Sequence, residues 1–206
     1  LGVHARAALE RIPGDGAAEA LRVTLARTSG TARVGFINSL GRRRDAKSIP
    51  ILAKLVTDAD PQTAGAALDA LGAIGGLDAL AALLAVPSVP DALRVRRSAA
   101  LLVCAEGLGR KGEVGVAKPV LAELVRPDQA RHIRMAAFPL HVAALGAGGS
   151  DAVLAALGGA DLDLQRAAVQ VLRQRPAADL SQAVAARLPT LSPTLQEQVI
   201  ALFADQ

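Results

Sequence analysis

One short pattern recurs six times along this chain, and no other feature limits its fold so tightly. A basic or small residue is followed by small residues and then an apolar one. The copies are Arg6-Ala7-Ala8-Leu9, Arg33-Val34-Gly35-Phe36-Ile37, Ala64-Gly65-Ala66-Ala67-Leu68, Arg97-Ser98-Ala99-Ala100-Leu101, Arg134-Met135-Ala136-Ala137-Phe138 and Arg166-Ala167-Ala168-Val169. Counted from the first small residue of each, the steps are 28, 31, 33, 37 and 31 residues. A period of this length marks a stack of supersecondary units, none of which buries its apolar face alone. In four copies a further apolar residue, Ile12, Leu40, Leu71 or Leu172, follows at helical i, i+3 spacing. The paired small residues let a neighbouring helix come close.

A second helix follows within each repeat. Ser48-Ile49-Pro50-Ile51-Leu52-Ala53-Lys54-Leu55-Val56 matches Ala117-Lys118-Pro119-Val120-Leu121-Ala122-Glu123-Leu124-Val125. Proline in a first turn loses no hydrogen bond, so Pro50 and Pro119 mark helix starts. Leu77, Leu80 and Leu84 supply the periodic face of the copy between them. Asp60-Pro61 and Ser192-Pro193 read as an N-cap followed by Pro, and Asp45, Asp78, Asp151 and Asp179 as caps of second helices. Gly41, Gly75-Gly76 and Gly146 stand where first helices should end in a left-handed residue. Pro139 falls inside a first helix and should kink it or shift its ends.

The expected fold is therefore all-α, a right-handed α-solenoid of about six stacked helical hairpins with about thirteen helices. Pairs should start near residues 3, 31, 61, 92, 130 and 161, with a last helix over 193–204. Repeat boundaries fall near 1–29, 30–58, 59–88, 89–127, 128–159 and 160–190, then a terminal helix at 191–206, all in one domain. Composition agrees: 51% of residues are hydrophobic but only 1% aromatic, so Ala and Leu fill the core, as in closely packed helices. No uninterrupted apolar run approaches the roughly 18 residues of a membrane span, so a soluble chain without membrane insertion is expected, in a compartment the sequence does not specify.

Helix pairs of about 31 residues, with Arg-x-Ala-Ala in the first helix and Asp45 through Ile49-Pro50-x-Leu52 opening the second, resemble HEAT repeats. They are closest to the short bacterial kind named for phycobilisome-lyase subunits. Residues 34–47 are also similar to HEAT segments of large bacterial multidomain proteins, often exported, and Leu1 as a first residue suits excision from such a chain. The resemblance implies the fold more than the function, because this repeat is a scaffold in many unrelated proteins.

Little else carries chemistry. Gly107-Leu108-Gly109-Arg110-Lys111-Gly112 spells a dinucleotide-binding glycine pattern, yet no strand precedes it, so it reads as an interhelical loop with basic tips. Cys104, in an apolar stretch, reads as a small buried residue rather than a nucleophile. His4, His132 and His141 form no metal signature, and His141 takes an apolar position, as a buried, hydrogen-bonded histidine would. No His-Glu dipeptide occurs, which speaks against the iron-binding hydroxylases that use HEAT repeats. The pairs Asp58/Asp60 and Asp161/Asp163 lie at turns between repeats and read as caps rather than as acid–base pairs. The residues call for no cofactor and no metal; bilin attachment follows from the repeat's name alone.

The chain carries 23 basic and 19 acidic side chains, net +4, in alternating blocks. Arg42, Arg43 and Arg44 with Lys47 form the densest basic cluster, and Arg94, Arg96 and Arg97 a second. If turns stack along one edge, the first cluster shares a rim with Arg110 and Lys111, where a phosphate backbone or an acidic protein would bind. The leading expectation is a non-catalytic protein-interaction scaffold with a concave surface made by second helices. Its candidate contacts are Arg42, Arg43, Arg44, Lys47, Lys54, Arg110, Lys111 and Lys118, with Glu123 beside them, and its partner is a protein. The alternative is a nucleic-acid-binding solenoid resembling the alkylpurine DNA glycosylases. With no Trp or Tyr to hold a flipped base, glycosylase activity is not expected.

Overall fold

The structure, a computed structural model, describes residues 3–86, 88–174 and 178–204. It divides into two compact units, Leu1–Ala117 and Lys118–Gln206. The first holds α1 (Val3–Arg11), α2 (Asp15–Leu25), α3 (Gly30–Arg42), α4 (Ile49–Leu55), α5 (Pro61–Ile74), α6 (Gly76–Ala85) and α7 (Asp91–Arg110). The helix α8 (Val114–Leu124) begins in the first unit and ends in the second. The second unit continues with α9 (Arg131–Leu145), α10 (Gly149–Gly158), α11 (Leu162–Gln174), α12 (Ala178–Arg187) and α13 (Pro193–Ala204). Thirteen α-helices and three 3-10 turns, with no strand, make up the described residues, and the first helix of every pair begins within one residue of its expected place.

In the first unit, successive first helices α1, α3, α5 and α7 pack side by side, and α4 packs on α6. The approach of first helices is closest at two glycines. A Cβ on Gly41 would lie 2.9 Å from Ala70 Cα, and one on Gly72 would lie 2.9 Å from Ala100 Cα. Glycine inside a helix costs about 1 kcal/mol relative to Ala, and here it admits a backbone that no side chain would. Gly41 is thus buried inside α3 rather than past its end. The left-handed position there belongs to Arg44, at φ 51°, with Arg44 N–H donating to Gly41 O and Asp45 N–H to Leu40 O. Gly75 and Gly146 do end α5 and α9, at φ 66° and 58°.

Neighbouring hairpins are joined by a recurring side-chain clamp. Two residues before the first small residue of the pattern, a long donor reaches carbonyls at the end of the preceding second helix. Arg33 Nε donates to Thr28 O at 2.6 Å, Arg97 to Leu83 O and Val86 O at 3.0–3.3 Å, and Arg134 to Val125 O at 3.3 Å. In the later hairpins glutamine does the same: Gln165 Nε2 donates to Gly159 O at 2.7 Å and Gln196 Nε2 to Leu191 O at 3.0 Å. The equivalent residue of the sixth repeat is therefore Gln165, not Arg166. Each clamp satisfies carbonyls that a helix end leaves without partners. Arg33 and Arg134 also pair with Asp58 and Asp161 in the next turn.

Several sequence expectations need correction. Asp60 caps α5, accepting from Gln62 N–H and Thr63 N–H at 3.1 and 3.2 Å, but Asp45 caps nothing and instead accepts from Arg22 at 2.6 Å. Asp78 and Asp151 lie in first turns behind glycine N-caps that make no side-chain cap bond. The side chain of Asp179 lies outside the described residues. Pro119 sits well inside α8, because that helix starts four residues earlier than the Pro50 parallel suggests, and α9 runs through Pro139 with its ends unshifted. Gly107 and Gly109 belong to α7, which extends to Arg110; the turn is Gly112, at φ 84°. Leu77 and Leu84 are exposed while Leu80 is buried, so the three do not share a core face. By length and hydropathy Arg131–Gly158 has the character of a membrane span. Gly146 breaks it into helices of 15 and 10 residues, each short of the roughly 20 needed.

Candidate functional site

The eight predicted contact residues do not form one free basic surface. Arg42 pairs with Glu10 at 3.1 Å, and Ser39 Oγ donates to the same carboxylate at 2.6 Å. Burial alone would raise the Glu10 carboxyl, but these hydrogen bonds and the Arg42 and Arg6 charges hold it below the usual carboxylate range. Arg43 turns back on the end of α1 and its following turn, donating to Leu9 O and Ile12 O at 2.6 Å and to Gly14 O at 2.8 Å. Its Nε is buried without a hydrogen-bond partner among the described residues. Lys47 Nζ donates to Asp15 at 2.7 Å; hydrogen bonds from Lys47 and Arg22 lower the Asp15 carboxyl. Arg110 pairs with Glu106 at 3.2 Å. Arg44, Lys54, Lys111 and Lys118 are exposed and have no ion-pair partner among the described residues.

The shared rim is offset. The α3 helix stops one residue past its contact with Ala70, whereas α7 runs ten residues past Ala100, about 15 Å further along its axis. In the second basic cluster, Arg94 pairs with Asp91 at 3.6 Å, Arg96 lies over Gly65 and pairs with Asp69 at 3.4 Å, and Arg97 is the clamp described above. Arginines that look alike in sequence thus divide into helix-end ligands, ion pairs and free charges.

Cys104 is fully buried, its Sγ 3.8 and 3.9 Å from Leu71 O and Gly72 O, and burial pushes the thiol up to about 11. Asp58 Oδ1 accepts from Asp60 N–H at 2.9 Å, and Asp161 Oδ1 accepts from Asp163 N–H and Leu164 N–H, so both acidic pairs organise turns. His141 is half-buried rather than satisfied: Nδ1 has no hydrogen-bond partner among the described residues, and burial, then the Lys118 charge, lower its pKa. Among the described residues no three His, Cys, Asp or Glu side chains gather in a group able to hold a metal.

One feature of the surface escaped the sequence reading. The α6 helix is apolar on both sides: Ala79, Leu80 and Leu83 are buried, while Leu77, Ala81 and Leu84, at i, i+4 and i+7, line an exposed face. Asp78 is the only charged residue in Gly76–Ala85. A helix apolar all round is ordinarily buried all round, so the composition of α6 was the available signal. Leucine periodicity alone could not say which of its stripes faces the core.

Stacked helical hairpins joined by side-chain clamps place the chain among the all-α solenoids. Residues 17–104 match the family described as HEAT repeats. HEAT repeats generally serve as scaffolds for protein interactions and are typically non-enzymatic. No curated protein matches the chain.

Proposed function

We propose that this chain is a non-catalytic protein-interaction scaffold, and that the second helices of its first compact unit form the docking face. The observation that carries the reading is the exposed stripe Leu77, Ala81 and Leu84 on α6, beside α4 with its unpaired Lys54. Contiguous exposed apolar surface rimmed by charge is characteristic of partner-binding sites. The partner is a protein with an apolar patch bordered by carboxylates. Lys54 supplies the complementary charge, and Arg44 and Lys111 are further exposed basic contacts of that unit. Nucleic acid is the weaker reading, because Arg42, Arg43, Lys47 and Arg110 already have partners within the chain.

The test places a photo-crosslinking residue at Leu77 or Leu84 in the full chain, inside cells, and identifies what is captured. One recurrent partner is expected, with its capture lost in Leu84→Asp and the melting temperature little changed. Capture indifferent to Leu84→Asp would reject this face. Steeply salt-dependent binding of duplex or single-stranded oligonucleotides would favour the nucleic-acid reading instead.

A further inference from the structure

Six residues past the first small residue of the pattern, α3 and α5 come into backbone contact with the next first helix. In α3 and α5 that residue is Gly41 or Gly72. In α11 it is Arg173. Gly72 meets Ala100, whereas Arg173 and Ala201 both line an opening between α11 and α13. Between α11 and α13 lies an open cleft of about 790 Å³, lined by Arg166, Val169, Gln170, Arg173, Gln198, Ala201 and Leu202. Val169 and Leu202 are nearly buried and form an apolar floor, while Arg166, Gln170 and Arg173 stand exposed along one wall. Arg173 has no ion-pair partner among the described residues, and Arg166 touches only Asp163, at 3.6 Å, a carboxylate that Arg131 already holds at 2.7 Å.

We propose that this cleft binds an acidic amphipathic helix of a partner protein. The inference rests on the scaffold reading and adds a second docking site with its own chemistry. Arg166 and Arg173 are seven residues apart, about 10.5 Å along α11, too far to grip one anion together. A helix laid along α11 repeats the same spacing, so carboxylates at its positions i and i+7 meet both guanidiniums. Its small or apolar residues between them rest on Val169 and Leu202. Gln170 and Gln198 supply amides for the polar edges. Among the described residues no carboxylate lines the cleft to repel such a helix.

The experiment uses the full chain and two labelled helical peptides, with Leu and Ala on one face and either two Glu or two Lys seven residues apart. Binding is followed by fluorescence anisotropy. The Glu peptide should bind at least tenfold more tightly than the Lys peptide. The variant Arg166→Glu/Arg173→Glu should lose tenfold or more for the Glu peptide and gain preference for the Lys peptide. Arg173→Gln should give an intermediate loss, at a melting temperature near that of the parent. Leu84→Asp should leave peptide binding unchanged, so failure of the α6 face and failure of this cleft are separable. Equal affinity for the two peptides would overturn the proposal. So would binding insensitive to the α11 variants, or a sedimenting dimer abolished by Arg173→Glu, which would assign the cleft to a second copy.

Discussion

The junction between α5 and α7 and that between α11 and α13 occupy the same place in the repeat, yet one is a packed seam and the other an open cleft. At Gly72 the absence of a Cβ brings Ala100 into backbone contact. At Arg173 a long cationic side chain stands in the same position and a cleft remains. A repeat therefore need not change its architecture to turn a packed seam into a surface that can take a ligand.

The comparison breaks most severely from the packed side. Gly72→Leu should cost about 2–3 kcal/mol or more through overpacking, read as a lower urea midpoint, whereas Arg173→Leu should cost far less. Cys104 reports the same seam, because its Sγ lies against the carbonyls of Leu71 and Gly72. With the thiol held up at about 11, labelling at pH 8 should be slow in the parent and at least tenfold faster in Gly72→Leu. Rapid labelling of the parent would show that the seam opens readily.

The clamps provide the next effects. Arg134→Ala should cost about 2 kcal/mol, a discounted figure because Asp161 is partly exposed. Arg134→Gln should recover part of that, as Gln165 performs the same task natively. Burial would raise the Asp161 carboxyl, but Arg134 and the turn amides hold it below its ordinary value. A depressed folded-state pKa contributes stability above the unfolded value of about 3.9. That contribution is lost as pH falls through the lower folded pKa, so the gap between parent and Arg134→Ala should narrow in acid. Gln165→Ala should cost about 1 kcal/mol, a single hydrogen-bonding side chain. Arg42→Ala, which removes an exposed guanidinium, should change stability by less than about 0.5 kcal/mol.

Helix positions were legible because they depend on local signals. Small-residue pairs, Asp60-Pro61 and the glycines at 75 and 146 specify starts and ends whatever the rest of the chain does. Gly41 and Gly109 were not legible, since glycine serves equally a left-handed turn and a place inside a helix, and only the neighbouring helix distinguishes them. Charge misled in a similar way. Arg42 and Arg43 form a basic cluster in sequence, yet their partners, Glu10 and the carbonyls of Leu9 and Ile12, lie about 30 residues earlier. Matching on arginine also set Arg166 one place out of register, because Gln165 can donate the same bond. The cleft at Arg173 needed the next helix, which sequence alone does not place.

The clamps also bear on how the chain is made. Leu83 O and Val86 O find their donor on Arg97, Val125 O on Arg134, and Gly159 O on Gln165, always later in the sequence. A hairpin emerging from the ribosome therefore carries unfinished carbonyls at its trailing end until the first helix of its successor appears. Growth of the chain supplies each missing donor in turn, and a nascent chain arrested between hairpins has one frayed end, which moves forward with synthesis.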